Sequence, residues 1–358
     1  MSTEGPPRGA RPPAGGGERS SLRGESTPAG TVAFVVDPKD VARWRDIGAF
    51  APGDVDREQA RFRSGLDVWI VQSYLLLREP LAARGYRAIF GAHYPRNAIG
   101  VAHWDDLNAY FNGAHRARLV GVRADRSPLY ACARVVVQND CVAPAPHERY
   151  IPHWPQPGLL ARDPARGSGV ATLAYFGRLA RLPQWLRGAD FRARLKAMGI
   201  ELRLSEAAWN DYHDVDLVIA ARAEGPSMLE RKPATKLTNA WLAGTPALLD
   251  DEPAFRALAR TPLDYVPIHD AASALDAVAR LKSDPATYAA MVANGRARAA
   301  PFAREAVIAR WLEVIDEVAA SCPRAPSLLH FVRSVTAQRS EARRFRERHH
   351  AEQAGLAP

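Results

Sequence analysis

Residues 232–249 read KPATKLTNAWLAGTPALL. Leu237, Ala240, Trp241 and Gly244 recur at i, i+3, i+4 and i+7, the spacing of one helix face, and Pro233 suits a first helical position. Gly244 supplies a left-handed exit, Thr245-Pro246 turns the chain, and Ala247-Leu248-Leu249 starts a short buried strand. Lys236 and Asn239 fall about 120° from the apolar face, and Lys232 shares that stripe if the helical turn reaches it. A helix start carries partial positive charge and unpaired N–H groups, so lysines there cost stability unless an anion is present. Phosphate is the anion such a terminus binds; the alternative is that both lysines point into water.

The chain around this stretch has 358 residues, enough for two α/β domains with separate cores. Its 47% hydrophobic and 24% charged residues are those of a globular protein. No apolar run approaches a membrane helix, and the N-terminus lacks a secretory pattern. Cys132, Cys141 and Cys322 show neither an even count nor metal-type spacing, so a disulfide framework is not expected and the cytoplasm is the expected compartment. The formal charge is +9, but residues 323–358 alone hold seven arginines against three glutamates. Nearly half of the excess therefore sits on a tail and the folded middle is only mildly basic, which argues against a nucleic-acid binder.

Residues 1–30, rich in Pro, Gly, Ser and Arg, lack the apolar surface to fold and read as disordered. Strands are predicted at TVAFVV (31–36), AIFGA (88–92), IGVAH (99–103), ARLVGV (117–122) and ARVVVQN (133–139), with a helix over 67–86 broken or kinked before Pro80. These make a first α/β domain over 31–150. A proline-rich linker follows at 151–169, and a second α/β domain occupies 170–322. In that second domain VATLAYFG, IELRLS, DLVIAAR and PALL read as strands. FRARLKAMG, 234–243, SALDAVARLK, ATYAAMVANGRARA and REAVIARWLEVIDEVAA read as helices, with a further short helix near WNDYHDV (209–215). Strand–helix alternation implies parallel sheets, whose ligands bind beyond the carboxyl ends of the strands. Arg178 and Arg222 stand at that address. With Lys232 and Lys236 they supply forked and point charges for a pyrophosphate.

At these residues the second half resembles the donor domain of a GT-B glycosyltransferase. YFGRLARLP is similar to the loop that opens that domain, YHDVDLVIAAR to the strand before the donor site, and KPATKLTNAWLAGTPALL to the signature helix and strand. Asn239 stands where a glutamate is usual, and the Lys236-Leu-x-Asn239-Ala version is closest to the helix of fucosyltransferases that use a GDP-sugar. The resemblance covers roughly 168–320. It implies two doubly wound Rossmann-like domains facing a cleft, with a terminal helix that crosses back to the first. It also implies a nucleotide-sugar donor whose diphosphate is contacted by Lys236 and Arg178, Asn239 at the ribose or a phosphate, and Arg222, Lys232 and Thr235 behind them. The implied reaction is sugar transfer to an unknown acceptor. A cation holds the leaving diphosphate in place of a metal, and no cofactor takes part.

An inverting transfer needs an acceptor-side base. The candidates follow first-domain strands: Asp37 and Asp40, His93, and the pair His103 and Asp105. Each has an ordinary alternative as a helix cap or loop side chain, Asp37 before Pro38 above all. Asp214-Val215-Asp216 has the form of a metal-binding DxD but runs directly into an apolar strand, which favours a structural role. No glycine-rich dinucleotide loop follows any strand. In the tail, Leu328, Phe331, Val332 and Val335 keep helical spacing ahead of a run of arginines. A solvated, partly helical extension is expected there, with peripheral contact to an anionic membrane or a nucleic acid as the alternative. Three other readings of the whole chain stand beside sugar transfer: a nucleotide- or glycan-binding protein without catalysis, a tail-driven RNA or membrane binder, and a nucleotide-sugar epimerase.

Overall fold

A computed structural model of the chain describes residues 30–107, 112–139, 145–321 and 325–354. The stretch read as disordered lies, up to residue 29, outside the described residues. Two parallel sheets form the architecture. The first holds β1 (Gly30–Val35), β2 (Tyr86–Gly91), β3 (Ile99–His103), β4 (Arg118–Val122), β5 (Arg134–Val137) and β6 (Glu148–Tyr150) in the order β2-β1-β3-β4-β5-β6. The second holds β7 (Thr172–Phe176), β8 (Glu201–Ser205), β9 (Leu217–Ala220), β10 (Ala247–Leu249) and β11 (Val266–Pro267) in the order β11-β10-β9-β7-β8. All pairings are parallel. In each sheet the chain winds outward from the first strand, returns, and builds the other way. The winding reverses between β1 and β3, and again between β7 and β9. Crevices open at such reversals, beyond the carboxyl ends.

Alternation along β1 explains how the first sheet is covered. Val32 and Phe34 enter one core with the helix Gln72–Ala83, while Ala33 and Val35 enter another on the opposite face. Pro80 lies inside that helix, which runs on to Ala83 after a π turn at Asp67–Val71. The break expected before Pro80 is thus absent. One lost hydrogen bond and ring clash cost about 3 kcal/mol. Burial of Leu75, Leu76, Leu77 and Leu81, each 3% exposed or less, outweighs that at roughly 1.5–3 kcal/mol per side chain. The short helix expected near 209–215 is also absent. Asn210 donates to the Gly158 carbonyl at 2.8 Å and Asp211 accepts from the His213 N–H at 3.1 Å, local bonds that compete with a helical turn.

The segment 151–169 divides between the two halves. Ile151 and Trp154 are fully buried in the first core, and Trp154 donates to Ser73 at 2.8 Å. Past Gly158, Leu160 bridges to Asp211 and Arg162 bonds Asp216, both of the second half. The true crossing is short, at residues 155–158. The helix Arg304–Ser321 crosses back, with Val307, Trp311, Leu312 and Ile315 in the first core. The tail differs from the solvated extension expected. It is a helix, Leu328–Gln353, with Phe331 and Val335 buried against the first sheet. Its far end reaches the second half, where Ser227 donates to Glu352 at 2.6 Å and Arg231 stacks 3.8 Å over the Phe345 ring.

Candidate functional site

Loops beyond the carboxyl ends of the two sheets contact each other. After β5, Gln138 donates to the Arg231 carbonyl at 2.8 Å. After β4, Asp125 accepts from Lys232 at 3.0 Å. Residues 230–232 lead into the helix Thr235–Ala243 of the second half, so the carboxyl ends of both sheets meet across one cleft.

On the second-domain wall, β7 ends at Phe176 and the chain turns through Gly177, φ 154°. A Cβ at Gly177 would stand 2.7 Å from the Tyr175 hydroxyl and 3.3 Å from Lys236 Nζ, so glycine is what lets the lysine approach. The signature helix begins at Thr235, later than Pro233 suggests, with Ala234 as a cap that offers no side-chain bond. Lys236 therefore sits in the first turn and Lys232 before the helix. At the other end Gly244 takes the left-handed exit, φ 71°.

Lys236 Nζ lies 5.5 Å from the Tyr175 ring centre and 5.7 Å from that of Trp209. Among the described residues no hydrogen bond or ion pair reaches it. Burial, with Arg222 as a like-charged neighbour, pushes its ammonium down to about 7, and Glu252 opposes this only in part. Thr235 Oγ1 and Trp209 Nε1 are buried and, among the described residues, also without partners. A lysine, a hydroxyl and an indole N–H beside an uncapped helix start are thus donors without a hydrogen-bond acceptor among the described residues.

The other second-domain candidates are placed differently. Arg178 is exposed on the loop after Gly177. Arg222 pairs with Glu252, which is 1% exposed and keeps Oε1 without a partner. Lys232 is shared between Asp125 of the first half, at 3.0 Å, and Glu224, at 3.6 Å, and burial lowers its ammonium against the pull of Asp125. Asn239 is buried and its Oδ1 accepts from the Gln156 N–H at 3.4 Å, steadying the segment that crosses between the halves. Asp214 and Asp216 precede β9 and so lie at the opposite edge of the sheet. Asp216 accepts from Arg162 at 2.8 Å, Arg166 at 2.7 Å and the Thr172 N–H at 2.9 Å, and Asp214 accepts from Arg203 at 2.6 Å.

On the first-domain wall, Asp37 caps the helix Pro38–Arg43 by accepting from the Lys39 N–H at 3.0 Å. His103 caps the turn Trp104–Asp106, its Nδ1 accepting from the Asp105 N–H at 3.2 Å, which leaves the ring proton on Nε2. Burial lowers its pKa, so the ring is neutral at pH 7. Burial would raise Asp105, but two bonds from Arg126, both 2.7 Å, and the His103 ring hold it below the usual carboxylate range. Both candidates of that pair are thus engaged. Sequence reading missed Asp106 beside them, 7% exposed with Oδ2 unpartnered among the described residues. Burial, then Asp40, Asp37 and Asp105, push its carboxyl up to about 7. Glu224, Glu252, Asp125 and Asp106 all follow strands at their carboxyl ends, the one signal that could have found them.

No protein-family model and no curated protein matches the chain. Solved structures match its fold. AviGT4, a glycosyltransferase involved in avilamycin A biosynthesis, is 13% identical with a TM-score of 0.52, over 82% of this chain and 98% of that one. Sucrose-phosphate synthase from Thermosynechococcus elongatus is 13% identical with a TM-score of 0.52, over 82% and 100%. TarM aligns over 61% of this chain at 10% identity and a TM-score of 0.46, and the chain spans 55% of TarM's length. At such identities the likeness is one of fold: two Rossmann-like domains in the GT-B arrangement.

Proposed function

We propose that the protein transfers a sugar from a nucleoside-diphosphate donor bound in the second domain to an acceptor entering from the first. The observation that carries this reading is the unpartnered, desolvated Lys236 ammonium at the start of the Thr235–Ala243 helix. An ammonium pushed to about 7 by burial regains its charge when a dianionic group arrives, and the helix N–H groups and Thr235 hydroxyl complete the contacts. As the glycosidic bond breaks, charge builds on the leaving diphosphate, and a fixed cation there lowers the barrier without a metal. Arg178, exposed on the neighbouring loop, is the forked contact that swings in, and Arg222 sets the local potential through its pairing with Glu252. Asn239 and the lysine make a fucosyltransferase-like donor helix, for which a GDP-sugar is the first donor to test.

A second reading, a binding protein on the same shell, is favoured by one feature. His103 Nδ1 and both Asp105 oxygens are already bonded, leaving that pair without a free base. Calorimetric titration of UDP, GDP, ADP and dTDP without added metal tests the donor site. One nucleotide is expected to bind, weakened by about 1.5–3 kcal/mol in Lys236→Ala, the worth of a charged hydrogen bond. Binding unchanged in the variant removes the diphosphate from this helix. Donor binding with neither transfer nor donor hydrolysis across an acceptor panel selects the second reading. Donor turnover without any acceptor selects an epimerase.

A further inference from the structure

We infer that the outer face of the Leu328–Gln353 helix is a docking surface for an anionic lipid bilayer. The inner face is spent on the protein itself: Phe331, Val335, Gln338, Ala342 and Phe345 are all buried. What remains outside is unusual in composition. Leu328, Leu329 and Val332, exposed by 53%, 61% and 40%, stand in its first turns. Arg339, Arg343 and Arg346 follow, all exposed. At about 100° per residue, Leu328, Val332, Arg339, Arg343 and Arg346 share an arc of about 60°, so apolar and basic side chains form one straight stripe roughly 27 Å long. Arg343 bonds Glu347 at 2.9 Å, but among the described residues Arg339 and Arg346 have no acidic partner.

The chemistry of the stripe selects the occupant. Aliphatic side chains at one end enter the acyl boundary of a bilayer, and arginines beside them meet lipid phosphates and the negative surface potential. A single-stranded nucleic acid would call for aromatic stacking platforms, which the stripe lacks. A second copy joined about a two-fold axis would set arginine against arginine if the helices ran parallel, and arginines against bare aliphatic side chains if antiparallel. In neither case would the stripe offer the arginines an anion. Because the helix is anchored to both halves, a bilayer held here would meet the whole molecule in one orientation. The inference does not depend on the sugar-transfer reading.

The test is sedimentation of the full chain with vesicles of neutral phosphatidylcholine and with vesicles also containing anionic phosphatidylglycerol. Binding to the anionic vesicles only, falling as salt rises, is expected. Each basic residue near such a surface is worth about fivefold in partitioning, so Arg339→Gln/Arg343→Gln/Arg346→Gln should reduce it on the order of a hundredfold. The variant Leu328→Ser/Leu329→Ser/Val332→Ser should reduce it as well. All six positions are exposed, and circular dichroism checks that both variants keep their helix. Absent binding, equal binding to neutral vesicles, or full binding by either variant overturns the proposal. So does a dimer in light scattering that the serine variant dissolves, since a second copy would then be the occupant.

Discussion

On the proposed reading, Lys236 trades stability for binding. Its folded pKa, about 7, lies below the ordinary lysine value of 10.5, so between those limits the folded chain binds fewer protons than the unfolded one. Its contribution therefore improves as pH rises from about 7 toward 10.5 and is at its worst below 7. Lys236→Met is expected to raise the melting temperature at pH 6 while weakening nucleotide binding, a pairing that thermal scans and calorimetry read together. A bound diphosphate restores the charge, so binding at pH 8 should take up close to one proton, measured by titration in buffers of different ionisation enthalpy. Asp106 behaves in the opposite sense. Its carboxyl, raised from 3.8 to about 7, keeps more protons folded than unfolded across that window, and stability falls as pH rises through it. Asp106→Asn should flatten that fall, giving a variant more stable than the parent at pH 8 and little changed at pH 4. Lysines at a helix start were visible in the sequence because charge and period lie in one short run. The cost at Asp106 was not, since it comes from burial first and then from Asp40 and Asp37 on another element.

Turns rather than helices decide how much of the site works. Gly177 admits both the Tyr175 hydroxyl and the Lys236 ammonium, and an added methyl would meet both. Gly177→Ala is expected to weaken nucleotide binding at least as much as Lys236→Ala. It should also cost about 1–3 kcal/mol in denaturant unfolding, from the crowded backbone. Across the cleft, Ala124 holds φ at 49°, a left-handed conformation that a Cβ disfavours, in the turn that presents Asp125 and Arg126. Most strands were legible as continuous apolar runs bounded by turn residues; β3 fell at 99–103 as expected. Short edge strands were not. β6 hides in a proline-rich stretch, and β11 is two residues long and contains a proline, so neither carries a period to read. The tail helix was legible by spacing, but what its apolar face covers depends on a sheet nearly three hundred residues earlier in the chain, around Ala33 and Val35.

At the scale of the whole molecule, Lys232 illustrates where sequence reading stops. Its place near the donor helix suggested an anion site, yet it pairs with Asp125 across the cleft, a partner more than a hundred residues away whose proximity follows only from the meeting of two sheets. Asp125→Asn and Lys232→Gln, singly and together, form a cycle whose coupling is expected at about 1–3 kcal/mol, less than the sum of the single losses. If a nucleotide closes the cleft on this pair, the same cycle measured on nucleotide affinity should show coupling, and its absence would make the pair a structural tie alone.

The chain passes between the halves at residues 155–158, returns with Arg304–Ser321, and spans both again with Leu328–Gln353. Two bodies joined by one strand can turn about it freely, and every further crossing removes a way of turning. The kinematic freedom left to this cleft is therefore narrow. If the cleft binds a nucleotide as proposed, fluorescence distances between labels on the two halves should shift by a few ångströms, not tens, on binding.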